Sequence, residues 1–139
     1  MNLTITQALQ QGVSAHKEGK LQEAEKLYRA ILNVQSKHPD ANHNLGVLAV
    51  SATKADSALP LFKAALDANP KIDQFWLSYI DALIKQKQFD NAKEVLEHAK
   101  LQGVNTDRLN YFEAQLSSKT QIEGVNSVSP SKQKSSSLL

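Results

Sequence analysis

The chain contains no cysteine, which removes disulfides, thiolate metal ligands and a cysteine nucleophile together. Absent too is any apolar run approaching the roughly 18 to 20 residues that a membrane span needs. The opening MNLTITQALQQG lacks the basic start and apolar stretch of a secretory leader. A cytoplasmic protein without a membrane partner is the expectation. Excess charge of one sign is also missing: 16 Lys and Arg stand against 14 Asp and Glu, for a formal net charge of +2. These charges interleave along the chain instead of forming a basic stripe, which disfavours nucleic acid as a partner. No G-x-S-x-G, Walker, GxGxxG or kinase signature occurs. The four histidines, His16, His38, His43 and His98, show no i, i+4 pair and no carboxylate at metal-type spacing. They are read as surface imidazoles, with no metal, no cofactor and no catalytic constellation, so the chain is not expected to be an enzyme.

What is present is a period. Ala24, Ala58 and Ala92 recur every 34 residues, within LQEAEKLYRAIL, ADSALPLFKAAL and FDNAKEVLEHAK. Four positions after each alanine stands a large apolar residue, Tyr28, Phe62 or Leu96. Self-similarity of this length marks stacked supersecondary units, here helix-turn-helix pairs in an all-α chain. The period also predicts helix starts. Thr4 with Gln7 has capping-box spacing, and Pro39 follows His38 at a first helical position with Asp40 beside it. Thr106 before Asp107 repeats the logic. Six helices are expected in three antiparallel pairs, roughly 5–18 with 21–35, 39–52 with 55–68, and 73–87 with 89–102. A seventh is expected over 107–117 as a cap, with Leu109, Phe112 and Leu116 facing the third pair. Breaks fall at Gly19, near Thr53, at Asn69-Pro70 and at Gly103, while Pro60 conflicts locally with its helix. Residues 1–117 form the expected domain. From 118 to 139 serine, lysine and glutamine dominate, and a disordered tail is expected because apolar residues are too sparse to offset ordering entropy.

These residues resemble the tetratricopeptide repeat, with copies over about 5–38, 39–72 and 73–106. The second copy supplies Leu45, Gly46, Ala58, Phe62, Ala65 and Pro70 at signature positions, with Asn42 in place of the usual Trp and Ala49 in place of a bulky residue. The third keeps Trp76, Leu83, Ala92 and Ala99, with Ile80 at a normally small position. The first keeps Gly12, Ala24 and Tyr28, with Ala8 and Gln11 at the Trp and Leu positions. The resemblance implies a right-handed superhelical solenoid of three repeats plus the capping helix, whose concave surface is lined by the first helix of each repeat and binds a peptide or protein segment. The segment LYRAILNVQSKHPDANHNLGVLA is also similar to amino-terminal repeat regions of bacterial glycosyltransferase and sulfotransferase proteins.

A second stripe runs along each first helix: Leu9, Val13 and His16, then His43, Val47 and Val50, then Leu77, Asp81 and Ile84. In the resembling family this stripe faces the groove. Leu9, Val13, Val47, Val50, Leu77 and Ile84 would form its floor, with His16, Lys17, His43, Asp81 and Lys85 at its rim. The same pattern also fits plain core packing between first helices, and both readings stand at this point. Asn44 occupies the position of a peptide-holding asparagine in O-linked N-acetylglucosamine transferases, though a capping or solvated role fits it too. Gln10 and Ser78 do not continue that ladder. The family's chaperone-binding carboxylate clamp is not supported, since Leu9, Val13, Gln74 and Ser78 stand at its other positions. The leading expectation is a non-enzymatic protein-binding module. Alternatives are the targeting region of a larger O-linked N-acetylglucosamine transferase-like or sulfotransferase protein, and a module that self-associates weakly through the apolar stripe.

Overall fold

The computed structural model describes residues 3–127. Seven helices follow one another: α1 (Ile5–Lys17), α2 (Leu21–Val34), α3 (Pro39–Ser51), α4 (Ala55–Ala68), α5 (Asp73–Lys85), α6 (Phe89–Leu101) and α7 (Thr106–Ser127). There is no strand among the described residues. No helix among them is long and apolar enough to cross a membrane.

Local chemistry explains the starts. Thr4 Oγ1 accepts from the Gln7 amide at 3.0 Å while the Thr4 amide donates to Gln7 Oε1 at 2.9 Å, closing the capping box. His38 Nδ1 accepts from the Ala41 amide at 3.1 Å ahead of Pro39. At α7 the cap is Asn105, not Thr106. Its Oδ1 accepts from the Asp107 amide at 2.9 Å and the Arg108 amide at 3.3 Å, and Thr106 is already the first helical residue. The same helix runs to Ser127, ten residues beyond the end expected from the sequence. Residues 118–127 hold no proline, and their Lys, Gln and Glu are helix-compatible. The remainder of the expected tail, from 128 onward, lies outside the described residues.

Each turn inside a pair has one residue in the left-handed region at the same repeat position: Gly19 (φ 79°), Thr53 (φ 59°) and Lys87 (φ 59°). Only glycine adopts this without cost. Pro60 sits inside α4 on an exposed face.

Packing within a pair depends on a missing side chain. Gly12 of α1 lies under Tyr28 of α2, and Gly46 of α3 under Phe62 of α4, so closely that a Cβ would fall 2.6 Å and 2.5 Å from the respective rings. Both rings are 1% exposed. Burying each contributes about 1.5 to 3 kcal/mol. Ala24, Ala58 and Ala92 are fully buried at the facing positions, as close helix approach requires.

Consecutive helices pack in sequence order, and α1, α3, α5 and α7 also touch in a row. Among the described residues α2, α4 and α6 do not reach one another. The first-helix row is therefore the tighter, inner face, and the second helices are splayed outside it. Leu109, Phe112 and Leu116 are buried against α5 and α6 in one continuous core with Trp76, Ile80 and Leu96. Lys100 adds an ion pair at 2.9 Å to Glu113, tying α6 to α7.

Candidate functional site on the inner face

The expected groove residues all stand on the first helices α1, α3 and α5, but in three different states. Val13, His16 and Lys17 from α1, with Asn44 and Val47 from α3, line one open cavity of about 390 Å³. Tyr28 closes its back from α2. The spacing of Tyr28 is that of a signature packing position and points to the core alone; its ring, packed over Gly12, also reaches the cavity.

The cavity's chemistry is mixed. Val13 and Val47 give an apolar floor, and the Lys17 ammonium is exposed with no carboxylate within ion-pair distance among the described residues. Burial raises the pKa of the Tyr28 hydroxyl, and hydrogen bonding with the Asn44 side chain works in the opposite direction. Asn44 is half-buried, so its amide is held by its surroundings and yet reachable. No group of three or more His, Asp or Glu side chains among the described residues could hold a metal ion.

Elsewhere the stripe closes. Leu9 is half-buried against the core clusters of the first two repeats, and Val50 packs, as Val47 does from the cavity side, against the cluster of Ala58, Phe62 and Ala82. Ile84 is half-buried against the α4–α7 core. Asp81 and Lys85 pair with each other one turn apart on α5, which leaves their charges solvated and mutually compensated.

Two expectations fail here. Leu77 is 4% exposed and belongs to the core, not to a groove floor; α5 has a first-helix neighbour on each side, α3 and α7. His43 is not a rim or surface imidazole but 8% exposed. Its ring lies between Phe62 (centroids 5.4 Å apart) and Phe75 (4.8 Å), and its Nε2 is 2.8 Å from Ser78 Oγ. Burial lowers its pKa, while hydrogen bonding with Asn44 and the Asp40 carboxylate pull it back up. Ser78 in turn accepts from Gln74, and Gln74 accepts from Arg108 of α7.

Residues 49–116 match the family model described as tetratricopeptide repeat. No curated protein matches the sequence. Among solved structures, the D159K mutant of MamA superposes with a TM-score of 0.72 at 22% identity, covering 86% of this chain and 69% of that one. The first tetratricopeptide domain of Spaghetti (RPAP3), bound to the HSP90 peptide SRMEEVD, gives 0.76 at 16% identity, with 84% and 93% covered. The Yersinia enterocolitica type III secretion chaperone SycD, in complex with a peptide of the translocator YopD, gives 0.70 at 16% identity, with 91% and 96% covered. Helix order, the 34-residue period and these superpositions agree: the chain folds as a tetratricopeptide-repeat solenoid of three repeats closed by a capping helix.

Proposed function

We propose that the chain is a non-enzymatic interaction module that holds a peptide or protein segment on its inner face, anchored in the cavity between α1 and α3. The observation that carries this reading is convergence: five of the twelve residues singled out from sequence line one cavity together. Concave, largely apolar sites with a few placed polar groups are the usual form of a binding site. An extended segment lying across parallel helices would set an apolar side chain on Val13 and Val47. Its main chain would meet Asn44, whose amide both donates and accepts. Support also comes from the solved relatives, two of which were captured with peptides. Leu9, Val13, Gln74 and Ser78 stand where the resemblance places most of a carboxylate clamp, so we assign an apolar segment as the ligand.

Capture of partners on the immobilised chain, followed by binding measurements with peptides cut from the captured protein, tests this. Val47→Asp should abolish binding with the helical signal intact, because a charge there meets water in the free protein and harms only the complex. Asn44→Ala should weaken binding by about 1 to 3 kcal/mol, roughly five- to 150-fold. Unchanged binding by both variants would place the partner elsewhere. A wild-type dimer that Val47→Asp converts to monomer would replace this reading with self-association.

A further inference from the structure

Four polar side chains from three helices form a line across the inner face that neither the repeat packing nor the cavity requires. Arg108 Nη2 of α7 donates to Gln74 Oε1 at 2.7 Å, Gln74 Nε2 donates to Ser78 Oγ at 3.1 Å, and Ser78 Oγ lies 2.8 Å from His43 Nε2. The chemistry at the first end sets the direction of the first two bonds. A guanidinium has donors and no acceptor, so Gln74 presents its carbonyl oxygen to Arg108 and its NH2 to Ser78. Ser78 Oγ accepts from Gln74, and its hydroxyl hydrogen and second lone pair are both left for α3. If that hydrogen goes to His43 Nε2, the imidazole is neutral and carries its proton on Nδ1. The ring's surroundings agree, since Phe62 and Phe75 flank it and only 8% of the residue is exposed.

We propose that Arg108, Gln74 and Ser78 are positioning residues that hold His43 in its neutral Nδ1–H tautomer, so that the line acts as a latch between the capping helix and the second repeat. Two consequences follow from its direction. The inner face from α3 to α7 is committed to internal hydrogen bonds, which leaves the α1–α3 cavity as the ligand's entry. Arg108 and Gln74 are exposed, so an acceptor that captures Arg108 releases the Gln74 amide to turn over, and the change is read at the buried His43. This coupling is independent of what the cavity binds.

The test is a long-range proton–nitrogen correlation spectrum of the full chain, selectively labelled at histidine and recorded near neutral pH. His43 should show a protonated Nδ1 and an unprotonated, hydrogen-bonded Nε2. Arg108→Met, at an exposed position, should convert the single tautomer into a mixture, and Arg108→Lys, which restores a donor-only group, should return it. Ser78→Ala should shift both His43 ring nitrogens. A wild-type His43 protonated at Nε2 overturns the proposal. So does a His43 signal in Arg108→Met that is identical to wild type, even with a lowered melting temperature, because a purely structural contact would change stability without moving the tautomer.

Discussion

Asn42 and Trp76 occupy the same place in successive repeats, and each donates a side-chain N–H to the carbonyl six residues upstream: Asn42 Nδ2 to Ser36 at 3.1 Å, Trp76 Nε1 to Pro70 at 2.8 Å. Asn42 also donates to the His38 carbonyl at 3.0 Å. Two unlike side chains thus fix the same inter-repeat loop, one with an amide and one with an indole. Asn42 is 3% exposed, and removing its amide takes away two hydrogen bonds to the loop. Asn42→Ala should cost about 1 to 3 kcal/mol. Trp76→Phe should cost about 1 kcal/mol for the lost bond plus the volume difference. Urea midpoints at unchanged slope check both, and a neutral Asn42→Ala would show that the loop is held otherwise.

Gly12 and Gly46 set how closely each pair of helices approaches. A Cβ at either position lands within 2.6 Å or 2.5 Å of a ring, and Tyr28 and Phe62 are too enclosed to move aside. Gly46→Ala should therefore destabilise by about 1 to 3 kcal/mol despite alanine's better helix propensity. Pairing it with Phe62→Leu, which opens the space, should recover part of that loss. Strict additivity of the two changes would mean that the ring is not what Gly46 accommodates.

Thr53 and Lys87 hold the left-handed conformation that Gly19 holds in the first repeat. A β-branched residue there is strained. Thr53→Gly should raise stability by about 0.5 to 1 kcal/mol, the relief of strain exceeding glycine's entropy cost. Thermal melts of Thr53→Gly and Lys87→Gly test this, and Gly19→Ala should move the opposite way.

His43 makes stability depend on pH. Because burial lowers its folded-state pKa, the folded chain resists a proton that the unfolded chain accepts near the ordinary value of about 6.5. Above that pH the contribution is complete; as pH falls below it, the unfolded state binds more protons and stability declines until the folded-state value is reached. Urea midpoints between about pH 7.5 and 5 should fall with acidity. His43→Phe, with a third ring between Phe62 and Phe75, should flatten the slope; an equal slope in that variant would assign it to other groups.

The repeat frame, the limits of the first six helices and the presence of a capping helix were legible because each is written locally: small residues where helices touch, Thr4 and Gln7 at capping spacing, Leu109, Phe112 and Leu116 at helical spacing. His43 was not, since its burial needs Phe62 and Phe75 from two other helices, and nothing in the spacing of α3 announces them. Tyr28 was half legible, its packing visible and its place at the cavity not. The continuation of α7 to Ser127 is not legible, because its last turns are polar and pass through Gly124, a composition that points to disorder.

Leu77 and Val47 share one stripe by periodicity and differ in what covers them, which gives the sharpest test of the site. Leu77 is 4% exposed within the α4–α7 core, so Leu77→Asp buries an uncompensated charge and should cost several kcal/mol, enough to unfold much of a marginally stable domain. Val47 is half-buried and lines the cavity. Val47→Asp can turn its carboxylate to water near the Lys17 ammonium and should cost about 1 kcal/mol or less, while abolishing capture of an apolar segment. Circular dichroism melts read the first effect and capture reads the second. If both variants unfold alike, Val47 is core and the cavity is no binding floor; if neither unfolds, the boundary drawn here between core and groove along the first helices is wrong.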